Sequence, residues 1–237
     1  HFSQPGLIVL HGYLPAIFEG LGLTLRVSAV SLTIACVFGL LGATAKLSGS
    51  RTARWSAEVY TTLIRGLPEL VLMLLVFYGG TMGLNHLMEL MGSKRTVDIN
   101  PFVAGVLTLG FIYGAYMTET FRGAILAIPK GQSEAAWAFG MGRTQTFLRI
   151  IAPQMVRYAL PGFTNNWLVL IKSTALVSLI GLKEMTYLAK QASAATRSPF
   201  AFFLFTAALF LVYTTVSLYA LRKLNERFSL GAKRGTL

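Results

Sequence analysis

Five long apolar stretches, joined by short polar connections, dominate the pattern of this chain. A bilayer core about 30 Å thick takes about 20 apolar residues wound as a helix, so each stretch predicts one transmembrane span. The first runs from about Leu21 to Ala45, with Arg26 as its only charge. The second runs from about Glu58 to Leu84. Its uncharged part, Leu70 to Leu84, is short for a crossing, so the span is expected to recruit Arg65, Pro68 and Glu69. The third, about Pro101 to Ile128, carries Glu119 and Arg122, and the fourth, about Tyr158 to Leu182, contains Pro161, Asn165, Asn166 and Lys172. The fifth, Ser198 to Leu221, has no charge. The pattern predicts an all-α membrane protein of five transmembrane helices, a single domain over residues 1–237. The 181–198 connection is amphipathic enough to form a short surface helix.

Composition agrees with the pattern. The chain is 54% hydrophobic with mean hydropathy +0.60, and 13% of it is charged, against about 25% in soluble domains. A net charge of +12 in a soluble chain would fit nucleic-acid binding. Here the bases sit in the connections, as they do beside membrane helices. One side holds Lys46, Arg51, Arg54, Lys130, Arg143, Arg149, Arg157, Arg222, Lys223, Arg227, Lys233 and Arg234; the other holds Lys94, Arg95, Lys183, Lys190 and Arg197. The richer set is expected in the cytoplasm, which puts the N-terminus outside, the C-terminus inside and residues 129–153 inside. Cys36 is alone, so the chain makes no internal disulfide and no thiolate metal site. No basic region precedes the first span, so no cleavable signal peptide is expected.

The 129–153 segment is too polar for lipid and too short for a domain. Pro129 and Gly131 read as the end of the third span, Ser133 as an N-cap, and Glu134 as a first-turn acid favoured by the helix dipole. Ala135, Ala136 and Ala138 give a thin helix. Gly140 and Gly142 permit a sharp turn, and a second helix over Thr144–Ile151 carries Phe147 and Ile150 and ends at Pro153. By itself this is also what a plain interfacial loop looks like.

The spacing of Glu134, Ala135, Ala136, Gly140, Ile150 and Pro153 resembles the cytoplasmic "EAA" loop of ABC-importer permeases, with Ala152 where that family usually has Leu. The runs Tyr60–Leu70, Tyr116–Ala124 and Lys172–Ser178 are similar to motifs of the polar amino-acid permeases, so the resemblance covers nearly the whole chain. The Lys-Ser-Thr-Ala-Leu run resembles most the Q-type branch of histidine/lysine-arginine-ornithine uptake systems. The resemblance implies the type I ABC-importer permease fold in a bacterial inner membrane. It also implies that 129–153 is a coupling segment gripped by an ATPase. The implied partners are a second permease in a heterodimer, two ATP-binding cassette subunits and a periplasmic amino-acid-binding protein. No G-x-x-x-x-G-K-[ST] occurs in the chain. ATP and Mg are therefore expected on the partner, with no cofactor held here.

Ionisable residues at membrane depth face a protein interior or a wet cavity. Arg65 and Glu69 are four apart, and Glu119 and Arg122 are three apart, so each pair is expected on one helix face. Either pair also reads as a structural intrahelical ion pair. The functional reading puts Glu69 and Glu119 at a midplane site beside Tyr113 and Tyr116, where they attract a cationic amino acid. Arg65 and Arg122 are expected to pair with acids or line the inner mouth, the alternative for either being to meet the substrate carboxylate. Pro68 and Pro161 are expected to break helices two and four, with Asn165, Asn166, Lys172, Ser173 and Thr174 adding polar contacts; Lys172 also reads as a snorkelling side chain. Gly110 and Gly114 form a small-xxx-small pair suited to close packing. His1, His11 and His86 have no metal-site spacing, and no catalytic set converges in the spans. A stand-alone secondary carrier fits less well, since no internal repeat is visible, and a membrane enzyme lacks its constellation.

Overall fold

The computed structural model describes residues 6–92 and 98–229, with side chains over 12–92 and 98–227. The described part is a series of helices joined by short connections. Helix α1, Gly6–Leu47, runs 42 residues. Ser50 then caps α2, Arg51–Gly66, its side chain accepting the Ala53 N–H. Leu67 and Pro68 are extended, because a residue before proline avoids the helical region. The chain resumes as α3, Glu69–Leu74, passes through a π-helical turn, Leu75–Gly79, and continues as α4, Gly80–Leu90.

Helix α5, Pro101–Leu126, starts on Asn100, whose side chain accepts the Phe102 N–H, with proline in the first turn. Two short helices follow, α6, Lys130–Ala138, and α7, Arg143–Thr146. A second π turn, Phe147–Ile151, leads into α8, Ala152–Ser173, and a 3-10 stretch, Thr174–Ile180. Helix α9, Met185–Thr196, is the short helix expected in the 181–198 connection, and α10, Pro199–Ser229, closes the fold.

Among the described residues five helices are long and apolar enough to cross a membrane: Gly12–Leu47, Glu69–Leu90, Pro101–Leu126, Arg143–Ile180 and Pro199–Arg227. The second differs from expectation. It gains length at its C-terminal end rather than by recruiting Arg65 and Pro68, because the chain breaks before Glu69. Pro161 does not break the fourth; it lies inside α8. There the neighbouring Gly162 lets the helix pack closely against Thr120 of α5.

Helix α5 is the centre. In its most apolar window 67% of residues are buried, against 11% for the second and fifth spans, which leaves those two facing outward. Close approach of α1 and α5 rests on glycine from both sides. A Cβ on Gly110 would lie 2.5 Å from Ile34 Cγ2, one on Gly39 would lie 2.5 Å from Met117 Cβ, and Gly42 sits against Thr118. Gly114 meets Phe38 and the Tyr60 hydroxyl. The small-xxx-small pair of α5 thus packs on α1. Tyr60 Oη donates to the Phe111 carbonyl, fastening α2 to the same helix.

Candidate functional site

The break at Leu67–Pro68 ends one helix and begins another beside α5. Glu69 is the only acid of the first turn of α3. Its carboxylate accepts the Tyr113 hydroxyl at 2.9 Å and the Ser173 hydroxyl at 2.6 Å. The two hydroxyls lie 2.7 Å apart, so one carboxylate joins α3, α5 and the end of α8. Tyr113 is buried. Its ring lies 5.7 Å from that of Tyr116, and the Arg65 guanidinium sits 5.5 Å from the Tyr116 ring centroid. Arg65 and Glu69 do not form the expected intrahelical pair, because the extended residues between them separate α2 from α3. The same break leaves the last carbonyls of α2 without helical partners. Irregular backbone at membrane depth is tolerated where it lines a cavity.

Glu119 stands apart from this cluster. It is six residues from Tyr113 on α5, a rise of about 9 Å. Lys46 Nζ binds it at 2.6 Å and Arg122 Nη2 at 2.8 Å, and Lys46 also reaches Glu58 at 2.7 Å. The Lys46 side chain is 6% exposed and Glu58 is 62% exposed. These four line a cavity of about 380 Å³ with Arg54, Thr61, Thr62 and Arg65. The i,i+3 pair of Glu119 and Arg122 is therefore present, inside a network whose central residue, Lys46, reads from sequence as a loop flank. Glu69 does not line this cavity; Arg65 belongs to both groups, lining the cavity and lying over Tyr116 beside Tyr113.

The remaining expected side chains scatter. Asn166 is buried and donates to Thr120 Oγ1 at 3.0 Å. Thr174 is fully buried and donates to the Ile171 carbonyl within its own turn, so its hydroxyl does not join Ser173 at Glu69. Lys172 is exposed beside α10. His86 lies at the surface, 3.9 Å from Glu89. His1 lies outside the described residues, as does the side chain of His11. Among the described residues no group of His, Cys, Asp or Glu could hold a metal ion.

In the 129–153 segment α6 begins at Lys130, with Pro129 rather than Ser133 at its N-cap, and no acid occupies its first turn. Proline presets the helical φ, so the helix starts a turn earlier and Ser133 and Glu134 fall inside it. Gly140 has φ +79°. Met141 N–H donates to the Ala136 carbonyl and Gly140 N–H to the Trp137 carbonyl, the Schellman pattern that needs a left-handed residue. The second helix does not stop at Pro153. It runs through the π turn into α8, where the proline occupies the first turn. Phe139 is 90% exposed, with Trp137, Phe147 and Leu148 also exposed. The hairpin therefore presents an apolar knob, which its short aromatic spacing did not signal.

One buried acid escaped sequence reasoning. Glu184 is fully buried at the N-cap of α9. It accepts the Thr186 and Tyr187 N–H groups at 2.8 Å each and the Thr24 hydroxyl of α1 at 3.3 Å. Burial pushes its carboxyl up to about 7, against the pull of those hydrogen bonds. An acid directly before an apolar-periodic run is an N-cap signal, but nothing local points to Thr24.

Five membrane-long helices among the described residues, a break just before the second of them beside the half-buried Glu69, and an exposed apolar hairpin define a transport subunit of the membrane. The chain matches the family described as "Binding-protein-dependent transport system inner membrane component" over residues 35–229, and it belongs to that family. It is 51% identical over 229 residues to the histidine/lysine/arginine/ornithine transport system permease protein HisQ of Escherichia coli (strain K12), covering 97% of this chain and all of that one. It is 42% identical to the octopine transport system permease protein OccQ of Rhizobium radiobacter, covering 90% of each. Among solved structures it is similar to an amino acid ABC transporter crystallised with histidines, with TM-score 0.78, 30% identity and coverage of 93% and 97%. The methionine ABC transporter MetNI in an inward-facing conformation shares the fold, with TM-score 0.66 at 16% identity and coverage of 96% and 100%.

Proposed function

We propose that this chain is the permease subunit of an ATP-driven importer of basic amino acids: histidine, lysine, arginine and ornithine. A periplasmic binding protein delivers the substrate, a second permease completes a heterodimeric pathway, and two ATP-binding cassette subunits hydrolyse ATP. This chain holds no ATP, Mg or other cofactor. The names of its relatives support the substrate class. So does one observation above all, the Glu69 carboxylate set at the end of a broken helix.

The electrostatics of that place suit a cation. The carbonyls ending α2 lack partners within that helix and carry the negative end of its dipole, and Glu69, in the first turn of α3, adds a negative charge beside them. Tyr113 and Ser173 hold the carboxylate in position. Arg65, stacked on Tyr116, is placed to take the substrate carboxylate through its planar fork. Asn166 lies further along α8 as a polar contact. Glu119 and Arg122 stay outside this contact and serve to hold α1, α2 and α5 together. The segment with Glu134, Ala135, Ala136, Gly140, Ile150 and Pro153 couples to the ATPase, and its apolar knob suits a groove on that partner. The excess of Lys and Arg on the side of that segment supports a cytoplasmic hairpin and C-terminus with the N-terminus outside.

The test is uptake by reconstituted Glu69→Gln complexes, with assembly checked by complex yield. The carboxamide keeps shape and removes charge. The expected result is intact complex with basic-amino-acid uptake reduced at least tenfold, a loss of about 1.4 kcal/mol or more. Normal uptake of lysine, arginine and histidine by that variant would remove Glu69 from the substrate site.

A further inference from the structure

Charge in the cavity between α1, α2 and α5 does not balance. Its lining holds four cations, Lys46, Arg54, Arg65 and Arg122, and two acids, Glu58 and Glu119. Both acids are used within the network: Lys46 binds both, and Arg122 binds Glu119. Arg54 and Arg65 have no carboxylate partner among the described residues. Arg54 spends one N–H on the Ser48 carbonyl at 3.0 Å, and a guanidinium has five. Thr61 and Thr62 lie on the same wall, with Thr61 bonded back to its own helix.

The cavity's depth is set by its helices. Lys46 is the next-to-last residue of the first span and Arg122 lies four residues before the end of the third, about 6 Å along the helix. Trp55, one residue from Arg54, is 71% exposed. An exposed tryptophan next to arginine, on a helix lying beside the ends of two spans, marks the level of the lipid headgroups.

We propose that this cavity binds the phosphate of an anionic phospholipid from the leaflet on the side of the α6–α7 hairpin. A phosphodiester brings one negative charge to the two uncompensated guanidiniums, which bind phosphate through paired N–H groups. Basic pockets between transmembrane helices take such headgroups. The lipid bridges α2 to the α1–α5 pair at the place where the ion network already ties them. The site shares Arg65 with the proposed substrate contact, so its test turns on Arg54, which lies outside that contact.

Spin-labelled phosphatidylglycerol and phosphatidylcholine, incorporated in turn into vesicles holding the whole reconstituted transporter, test the proposal by the protein-bound fraction of each label. The intact protein should prefer phosphatidylglycerol. Arg54→Gln should lower that preference about fivefold, the worth of one basic residue at a membrane surface, while Arg54→Lys should retain most of it. Arg51→Gln removes the same charge from the same helix outside the cavity lining and should change little. An equal loss in Arg51→Gln would reduce the effect to general surface attraction and overturn the site. Displacement of the bound label by millimolar inorganic phosphate in the buffer would assign the cavity to a soluble anion and overturn the lipid. Equal binding of both labels to the intact protein would also end it.

Discussion

Replacing Lys46 by Met probes what holds α1 to α5 and α2. The Lys46 side chain is 6% exposed and ties two carboxylates on two other helices. Removing one partner of a buried ion pair costs about 3–5 kcal/mol, because a charge is left uncompensated. Two features pull this case toward the low end. Arg122 still holds Glu119 through two N–H groups, and Glu58 is 62% exposed and can rehydrate. The expected loss is about 3 kcal/mol, roughly two orders of magnitude in the unfolding equilibrium. Most of it is the stranded charge of Glu119. In a Glu119→Gln background that charge is gone, and Lys46→Met should cost only about 1 kcal/mol, leaving a coupling of about 2 kcal/mol. The four proteins of this cycle can be compared by SDS-titrated unfolding in mixed micelles. Equal cost of Lys46→Met in both backgrounds would refute the reasoning, for it would mean that the lysine acts through its methylenes and not through Glu119.

Three further outcomes are expected. Gly140→Val forces a β-branched residue to φ +79°, a left-handed position that costs roughly 1–2 kcal/mol even for ordinary residues. The variant should insert normally yet lose ligand-stimulated ATP hydrolysis in the reconstituted complex; full stimulation would count against the coupling role of the hairpin. The Glu184 carboxyl lies at about 7 in the fold against an ordinary 4.5, so its contribution favours the fold below pH 4.5 and is lost as pH rises through about 7. It amounts to about 3 kcal/mol at most. Thermal midpoints of the intact protein should fall between pH 5 and pH 8 more than those of Glu184→Gln, and parallel profiles would refute the assignment. Single cysteines at Gly131 and Ala194, in a background with Cys36→Ser, should respectively resist and accept an impermeant thiol reagent in intact cells; the reverse pattern would invert the orientation.

Residues that depend on their neighbours along the chain were readable from sequence. The apolar runs gave five spans, Gly-Leu-Pro gave the helix break at 67–68, and Gly140 gave the turn. Pro161 reads the same way as Pro68 but lies inside α8, next to Gly162 packed closely on Thr120, whereas Leu67 before Pro68 is exposed. Residues that depend on distant partners were not readable. Lys46 and Glu119 are 73 positions apart and Thr24 and Glu184 are 160 apart, so neither the buried lysine nor the buried acid carries a local signature of its partner. The expected substrate-site side chains fall between these cases. Tyr113 and Glu69 were read as neighbours and are, whereas Thr174 sits beside Ser173 in sequence but turns its hydroxyl into its own helix.

The two π turns, Leu75–Gly79 and Phe147–Ile151, have a consequence for how this chain tolerates change in length. Such a turn is a place where a helix has taken up an additional residue without rotating the segments on either side. Elsewhere in a helix, inserting or deleting one residue turns everything beyond it by about 100°, since 3.6 residues make a turn. In α5 that would carry Glu119 away from Lys46 and Gly110 away from α1. At the π turns the slack is already present, and losing one residue restores ordinary helix instead of misdirecting a face. Evolutionary gaps and additions of a single residue in the second and fourth spans are therefore expected to gather at these two turns, while the length of the central helix stays fixed.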